Sequence, residues 1–344
     1  MARPQMQQIT RRGFLATAAA GTMAAGGAAA AGTAKPSTFR RLAGREFQGM
    51  EGTFAPMYTP FNADESLNEG MIDLFVEYAL RNGLRGFYVT GSTGEGLLMS
   101  VEERKRVFRR VARANRGRGK LIAHVGCVAT RDAEELAKCA ADCGFDWISA
   151  ITPVFFGQSD DGLFTHYRRI ASATDLPFMA YACGSKVVPD RDARLFDIPN
   201  VKGMKYTGHD YWDVRRLANR LGKEAIFFVG ADEQLLNALA LGGLFSGAIG
   251  TSYNSLPRHG RDIVRLAGEG RYAEAQKLQD EIIRYVEVML ANDNESWHKA
   301  MMRYVGLDHG PHRGPGRPLT AAEYADLERR LDALGFVRRN DATL

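Results

Sequence analysis

Short runs of β-branched and aromatic apolar residues alternate along this chain with longer segments of helical periodicity. The runs cover residues 53–58, 86–90, 121–125, 147–151, 178–181, 201–205, 226–229 and 245–249. Between them, helical spacing spans 69–82, 101–115, 131–143, 162–174, 210–221 and 233–241, with a very short fifth helix near 191–196. Successive strand–helix units of this kind predict an α/β fold, a parallel (β/α)8 barrel over residues 51–256. A doubly wound open sheet is the alternative. It is disfavoured because the Gly-rich loop follows the second strand and lacks the GxGxxG order. Residues 257–336 are helical in pattern almost throughout, so 257–344 is read as a C-terminal helical extension packed outside the barrel.

The N-terminus changes the picture. Thr10-Arg11-Arg12-Gly13-Phe14-Leu15 leads into an Ala/Gly-rich stretch. Residues 1–34 therefore resemble a twin-arginine export signal, too weakly apolar to span a membrane comfortably, and imply a periplasmic location. Residues 35–50 read as a polar tether. The formal net charge is +5, but Arg3, Arg11 and Arg12 supply more than half of it. No basic run or aromatic–basic interleaving supports nucleic-acid binding. Cys127, Cys139, Cys143 and Cys183 lack metal or redox spacing and are read as packing residues.

In a barrel of this kind, chemistry gathers at the C-terminal strand ends and the loops beyond them. The sixth strand reads Val201-Lys202-Gly203-Met204-Lys205. Strict alternation turns Val201, Gly203 and Lys205 one way and Lys202 the other. A buried lysine favours its neutral amine, which attacks ketones; a snorkelling or ion-paired lysine is the plain alternative. The fifth strand ends at Tyr181, one unit earlier, so its phenol is expected about 5 Å from Lys205 and suited to proton transfer. The second strand ends in Gly91-Ser92-Thr93-Gly94-Glu95. Its amides and hydroxyls could hold the carboxylate of a 2-keto acid across the barrel from Lys205. Asp232 and Glu233 could bind sugar hydroxyls, or Asp232 could simply cap a helix. The histidines show no metal-ligand spacing.

These motifs, with Ala55-Pro56-Met57-Tyr58-Thr59-Pro60-Phe61, Gly203-Met204-Lys205 and the segments 230–233 and 249–254, resemble in order and spacing the N-acetylneuraminate lyase / dihydrodipicolinate synthase family of class I pyruvate-dependent aldolases. The likeness runs from about residue 50 to about residue 335. The resemblance implies a homotetramer acting on a small-molecule 2-keto acid without metal or organic cofactor, and with no membrane contact once the signal is removed. Lys205 would form the Schiff base, Tyr181 would transfer protons, and Ser92 and Thr93 would bind the carboxylate. Gly-Ser-Thr-Gly-Glu is more lyase-like than the synthase's Gly-Thr-Thr-Gly-Glu. Lys205-Tyr206-Thr207 resembles the lyase pattern, in which Thr207 would bind a substrate hydroxyl, and Gly230, Asp232, Glu233 and Thr251 match positions that contact the sugar-derived chain in the lyases. Lys186 takes the position of the arginine that binds a second carboxylate in the synthase, and could itself bind an acid.

The chain departs from the family where Ala182-Cys183-Gly184 replaces the usual Asn-x-Pro, and where Phe155 replaces a tyrosine that a neighbouring subunit lends to the synthase's proton relay. The expected function is cleavage or formation of a 2-keto-3-deoxy acid, with an N-acetylneuraminate-like substrate favoured. Another sugar-acid aldolase or dehydratase, dihydrodipicolinate synthase, and a non-catalytic periplasmic keto-acid or sugar-acid binding protein are the alternatives.

Overall fold

The computed structural model describes residues 39–337; the expected export signal at 1–34 lies outside the described residues. Eight strands form the sheet: β1 (Gly52–Pro56), β2 (Gly86–Val89), β3 (Lys120–His124), β4 (Trp147–Ile151), β5 (Phe178–Cys183), β6 (Val201–Thr207), β7 (Ile226–Val229) and β8 (Gly247–Ile249). Each pairs in parallel with the next, and β8 pairs with β1, closing a TIM barrel. Seven helices connect the strands: α1 (Glu69–Arg81), α2 (Val101–Asn115), α3 (Thr130–Asp142), α4 (Asp160–Ala171), α5 (Pro189–Ala193), α6 (Tyr211–Arg220) and α7 (Leu235–Ala240). The C-terminal extension is helical: α8 (Pro257–Gly268), α9 (Tyr272–Met289), α10 (Glu295–Tyr304) and α11 (Ala321–Leu334). No helix among the described residues is long and apolar enough to cross a membrane.

Strand alternation divides the core in two. Phe54, Tyr88, Ile122, Trp147, Met179, Ile226, Phe228 and Ile249 fill the barrel interior. The intervening positions, such as Ala55, Phe87, Leu121 and Met204, pack outward against the helices. Gly247 leaves room for this filling, because a Cβ there would lie 2.3 Å from the Phe228 ring. Helix starts follow local chemistry. Ser100 and Glu103 form a reciprocal capping box on α2, and the Ser159 side chain accepts from the Gly162 amide at the start of α4.

Three expectations need correction. Val201 does not face inward with Lys205. A register shift pairs Phe178 with Val201 but Met179 with Gly203, so Lys202 is the extra residue and Val201 joins the outer core. The run at 245–249 is a strand only from Gly247, while Phe245 packs outside against the Tyr211 ring, 4.9 Å between centroids. Within the stretch read as a polar tether, the described residues 39–50 form a plug. Phe47 and Met50 join the interior cluster, and the Trp147 indole donates to the Glu46 carbonyl at 2.9 Å. Its polar composition hid two apolar residues placed to cover the N-terminal end of the barrel.

This plug generates a stability prediction. Phe47→Ala opens a cavity against Trp147, 6.1 Å away ring to ring. The expected loss is about 3 kcal/mol, read as a lowered denaturation midpoint. Unchanged stability would show that the plug does not contribute to closing the barrel.

Candidate active site

β6 carries Lys205 into the barrel, and its neighbour across the sheet on β5 is Tyr181. The Lys205 Nζ lies 4.0 Å from the centre of the Tyr181 ring and 4.6 Å from that of Tyr88, which reaches in from β2 on the opposite wall. Lys205 is only 3% exposed. Burial pulls its pKa down to about 8, while Cys183 and Asp232 pull it upward. At pH 7 roughly a tenth of such an amine is neutral, against roughly one in a few thousand for an ordinary lysine.

The Tyr181 phenol accepts a hydrogen bond from Thr207 Oγ1 at 3.4 Å. Burial raises its pKa, the neighbouring Cys183 thiol adds to this, and the Thr207 and Ser92 hydroxyls work against it. The phenol therefore starts protonated. Beneath it, Tyr88 shares a hydrogen bond with Ser149 at 2.9 Å, and His124 stands edge-on to Tyr181. His124 Nε2 lies 3.1 Å from the Ile151 amide, which can only donate, so Nδ1 carries the proton toward the Thr90 carbonyl. Burial pushes its pKa down to about 3, so this imidazole is a neutral wall of the site.

The Gly91–Glu95 turn closes on itself: the Glu95 amide donates to the Ser92 carbonyl and the Gly96 amide to the Gly91 carbonyl. Thr90 enters it at a φ of 56°, which is costly for a β-branched residue. Its hydroxyl is anchored on the His124 carbonyl at 2.9 Å. Arg104 of α2 also donates to that carbonyl, and to the Gly126 carbonyl and Cys127 Sγ. Thr93 and Thr251 hydroxyls lie 3.1 Å apart, which joins this turn to the one after β8. Gly230 is required by space. A Cβ there would fall 1.9 Å from the Thr207 hydroxyl and 3.2 Å from Lys205 Cε.

Asp232 is buried, and its carboxylate accepts from the Ser252 amide at 2.7 Å. Burial raises its pKa, with the Ser252 hydrogen bonds opposing. Contacts thus link Lys205, Tyr181, Thr207 and Gly230 around one centre, Asp232 acts on Lys205 electrostatically, and the Ser92–Thr93 turn and Thr251 lie at its edge. Glu233 stands further out, facing His209 Nε2 at 3.0 Å. Lys186 is exposed, and among the described residues no hydrogen bond or ion pair ties its ammonium to the cluster.

Reading the sequence alone missed three members of this site. Cys183 is not a packing residue: it is exposed at the end of β5, beside Tyr181 and Lys205. β5 and β6 continue two pairs beyond Tyr181 and Lys205, which brings Cys183 opposite Thr207. Tyr88 and His124 could have been found by carrying the inward alternation of β2 and β3 to the strand ends. Phe155 and Phe156 stand exposed, their rings 4.9 Å apart edge to face, so this loop offers no hydroxyl at Phe155. Among the described residues, no three His, Cys, Asp or Glu side chains gather to hold a metal ion.

Comparison with known proteins agrees with this geometry. Residues 49–334 match the Dihydrodipicolinate synthetase family. An N-acetylneuraminate lyase of Rhizobium meliloti (strain 1021) is 36% identical over 282 residues, spanning 81% of this chain and 93% of that protein. The crystal structure of N-acetylneuraminate lyase from Mycoplasma synoviae superposes with a TM-score of 0.77 at 31% identity, covering 85% of this chain and 99% of that one. A dihydrodipicolinate synthase from Bacillus anthracis superposes with a TM-score of 0.77 at 25% identity, over 84% and 99% of the two chains. The closed barrel, its inward lysine beside a tyrosine of the adjacent strand and the match along most of its length together show that this chain belongs to the Dihydrodipicolinate synthetase family.

Proposed function

We propose that this protein is a class I aldolase, a carbon–carbon lyase that cleaves or forms a 2-keto-3-deoxy acid through a Schiff base on Lys205. The observation that carries the reading is the buried Lys205 amine, 4.0 Å from the ring of Tyr181 and held at a pKa of about 8. The substrate carboxylate binds the Ser92–Thr93 turn, and this turns the keto carbon toward Lys205. The neutral amine adds to that carbon. Tyr181 protonates the departing oxygen, and water leaves to give an iminium.

Cleavage then follows from the electron demand of the iminium. A base removes the proton of the C4 hydroxyl, the C3–C4 bond breaks, and its electron pair moves into an enamine on Lys205. The aldehyde leaves, the enamine takes a proton at C3, and hydrolysis frees pyruvate. Tyr181, hydrogen-bonded to Thr207, is the group placed to carry these protons. Thr207, Asp232 and Thr251, with Glu233 further out beside His209, stand on the side on which the hydroxylated half would lie. This placement and the similarity to N-acetylneuraminate lyases favour an N-acetylneuraminate-like substrate. Cys183 and Gly184, in place of the family's more usual residues, alter the same wall and favour a different sugar acid as the second reading. The exposed phenyl of Phe155 cannot relay a proton and speaks against synthase chemistry. The twin-arginine pattern supports a periplasmic enzyme, and the family resemblance supports a homotetramer.

Incubation with pyruvate and borohydride is expected to add one reduced pyruvyl group, mapped by mass to Lys205. Lys205→Ala should abolish both adduct and turnover; an adduct elsewhere would displace Lys205 from the mechanism. Tyr181→Phe should slow turnover by roughly 10²- to 10⁴-fold, the usual contribution of a positioned proton donor. An unchanged rate would remove the phenol from the proton path. The amine also sets a pH dependence. Because the protonated form is unreactive, trapping at low pyruvate should rise with pH and level off above about 8. A flat profile from about pH 6 to about pH 9 would show that the amine does not titrate there.

A further inference from the structure

The turn read as the carboxylate site rests on a buried ion pair contributed by the C-terminal extension. Glu95, the last residue of Gly91-Ser92-Thr93-Gly94-Glu95, has a φ of 56° and points its side chain away from solvent. Its Oε1 accepts from Lys299 Nζ of α10 at 2.7 Å, with the two side chains 1% and 0% exposed. Its Oε2 accepts from the Arg313 amide at 2.8 Å. Lys299 also donates to the Pro311 carbonyl at 3.0 Å and stands 4.2 Å over the Phe61 ring. A charge pair so deeply buried is a poor way to gain stability, since desolvation offsets most of its attraction. Its geometry nevertheless fixes the turn tightly. A second buried polar side chain does the same on the other side of the site. Gln279 of α9 donates to the Asp232 carbonyl at 3.1 Å and accepts from the Leu236 amide at 2.9 Å.

We propose that Lys299 and Gln279 are positioning residues: Lys299, through Glu95, sets the turn that receives the keto-acid carboxylate, and Gln279 sets the Asp232 turn that receives the hydroxylated half. This inference rests on the functional reading above.

The two residues predict a crossed pattern. In pyruvate–borohydride trapping, Lys299→Met should raise the half-saturating pyruvate concentration by about tenfold or more, while the limiting trapping rate changes little. Gln279→Leu should leave the pyruvate dependence intact. It should raise the KM for the cleaved sugar acid by about tenfold. If Lys299→Met does not fold, the double variant Glu95→Gln/Lys299→Met removes both charges of the pair and takes its place. That pair should still show the weakened pyruvate dependence, because the turn loses its anchor. A purely structural role would lower thermal stability and leave both concentration dependences at wild-type values, which overturns the proposal. If the wild-type protein forms no adduct, the Schiff-base reading fails and the positioning roles fail with it. A wild-type adduct with unshifted variants overturns the positioning roles alone.

Discussion

Desolvation of one amine is the constraint on which the site depends. Lys205 is surrounded by rings rather than carboxylates, with Tyr181 beside it and Tyr88 across from it. Asp232 acts on it electrostatically, but burial outweighs that attraction, and the amine is held at a pKa of about 8. A full salt bridge would have stabilised the ammonium and suppressed the nucleophile. The aromatic faces accept a cation without fixing it, so neutral and charged forms remain close in free energy.

Keeping this amine out of water requires a closed barrel. Below it, Trp147, Phe228 and Ile226 fill the interior, and the N-terminal plug covers that filling with Phe47 and Met50. Around it, close approach replaces bulk: Gly230 leaves room for the Thr207 hydroxyl and the Lys205 side chain. The neutral His124, held by hydrogen bonds at both ring nitrogens, adds a wall without adding charge. The C-terminal extension supports the same centre from outside through Lys299 and Gln279. Barrel and extension thus form one support for the turns around Lys205.

The chain's own pattern was enough for the architecture. Eight apolar runs separated by helical segments describe the closed parallel sheet, because each run must be buried on both faces. Lys205 and Tyr181 were legible for a related reason. Both end apolar runs whose length and periodicity are local, and the pairing of adjacent strands then sets them side by side. The Ser92–Thr93 turn and Asp232 were legible as strand-end residues. The terms Gly and Asp carry at such positions are also local.

What folding alone decided lies between distant parts of the chain. Lys299 and Glu95 are 204 residues apart, and nothing in the sequence near either one marks the other as its partner. The plug at Phe47 looked like linker because two apolar side chains carry no period. The bulge at Lys202 turned Val201 outward, since one inserted residue reverses every side chain before it. Cys183 became part of the site because β5 and β6 pair for two residues beyond the apolar pattern, where the ladder rather than hydrophobicity sets direction. Sequence by itself therefore determined the barrel and the residues at its strand ends, through short-range periodicity. The tertiary structure determined which distant groups close it, support its turns and share the dry space around Lys205, because burial and long-range pairing exist only once the chain is folded.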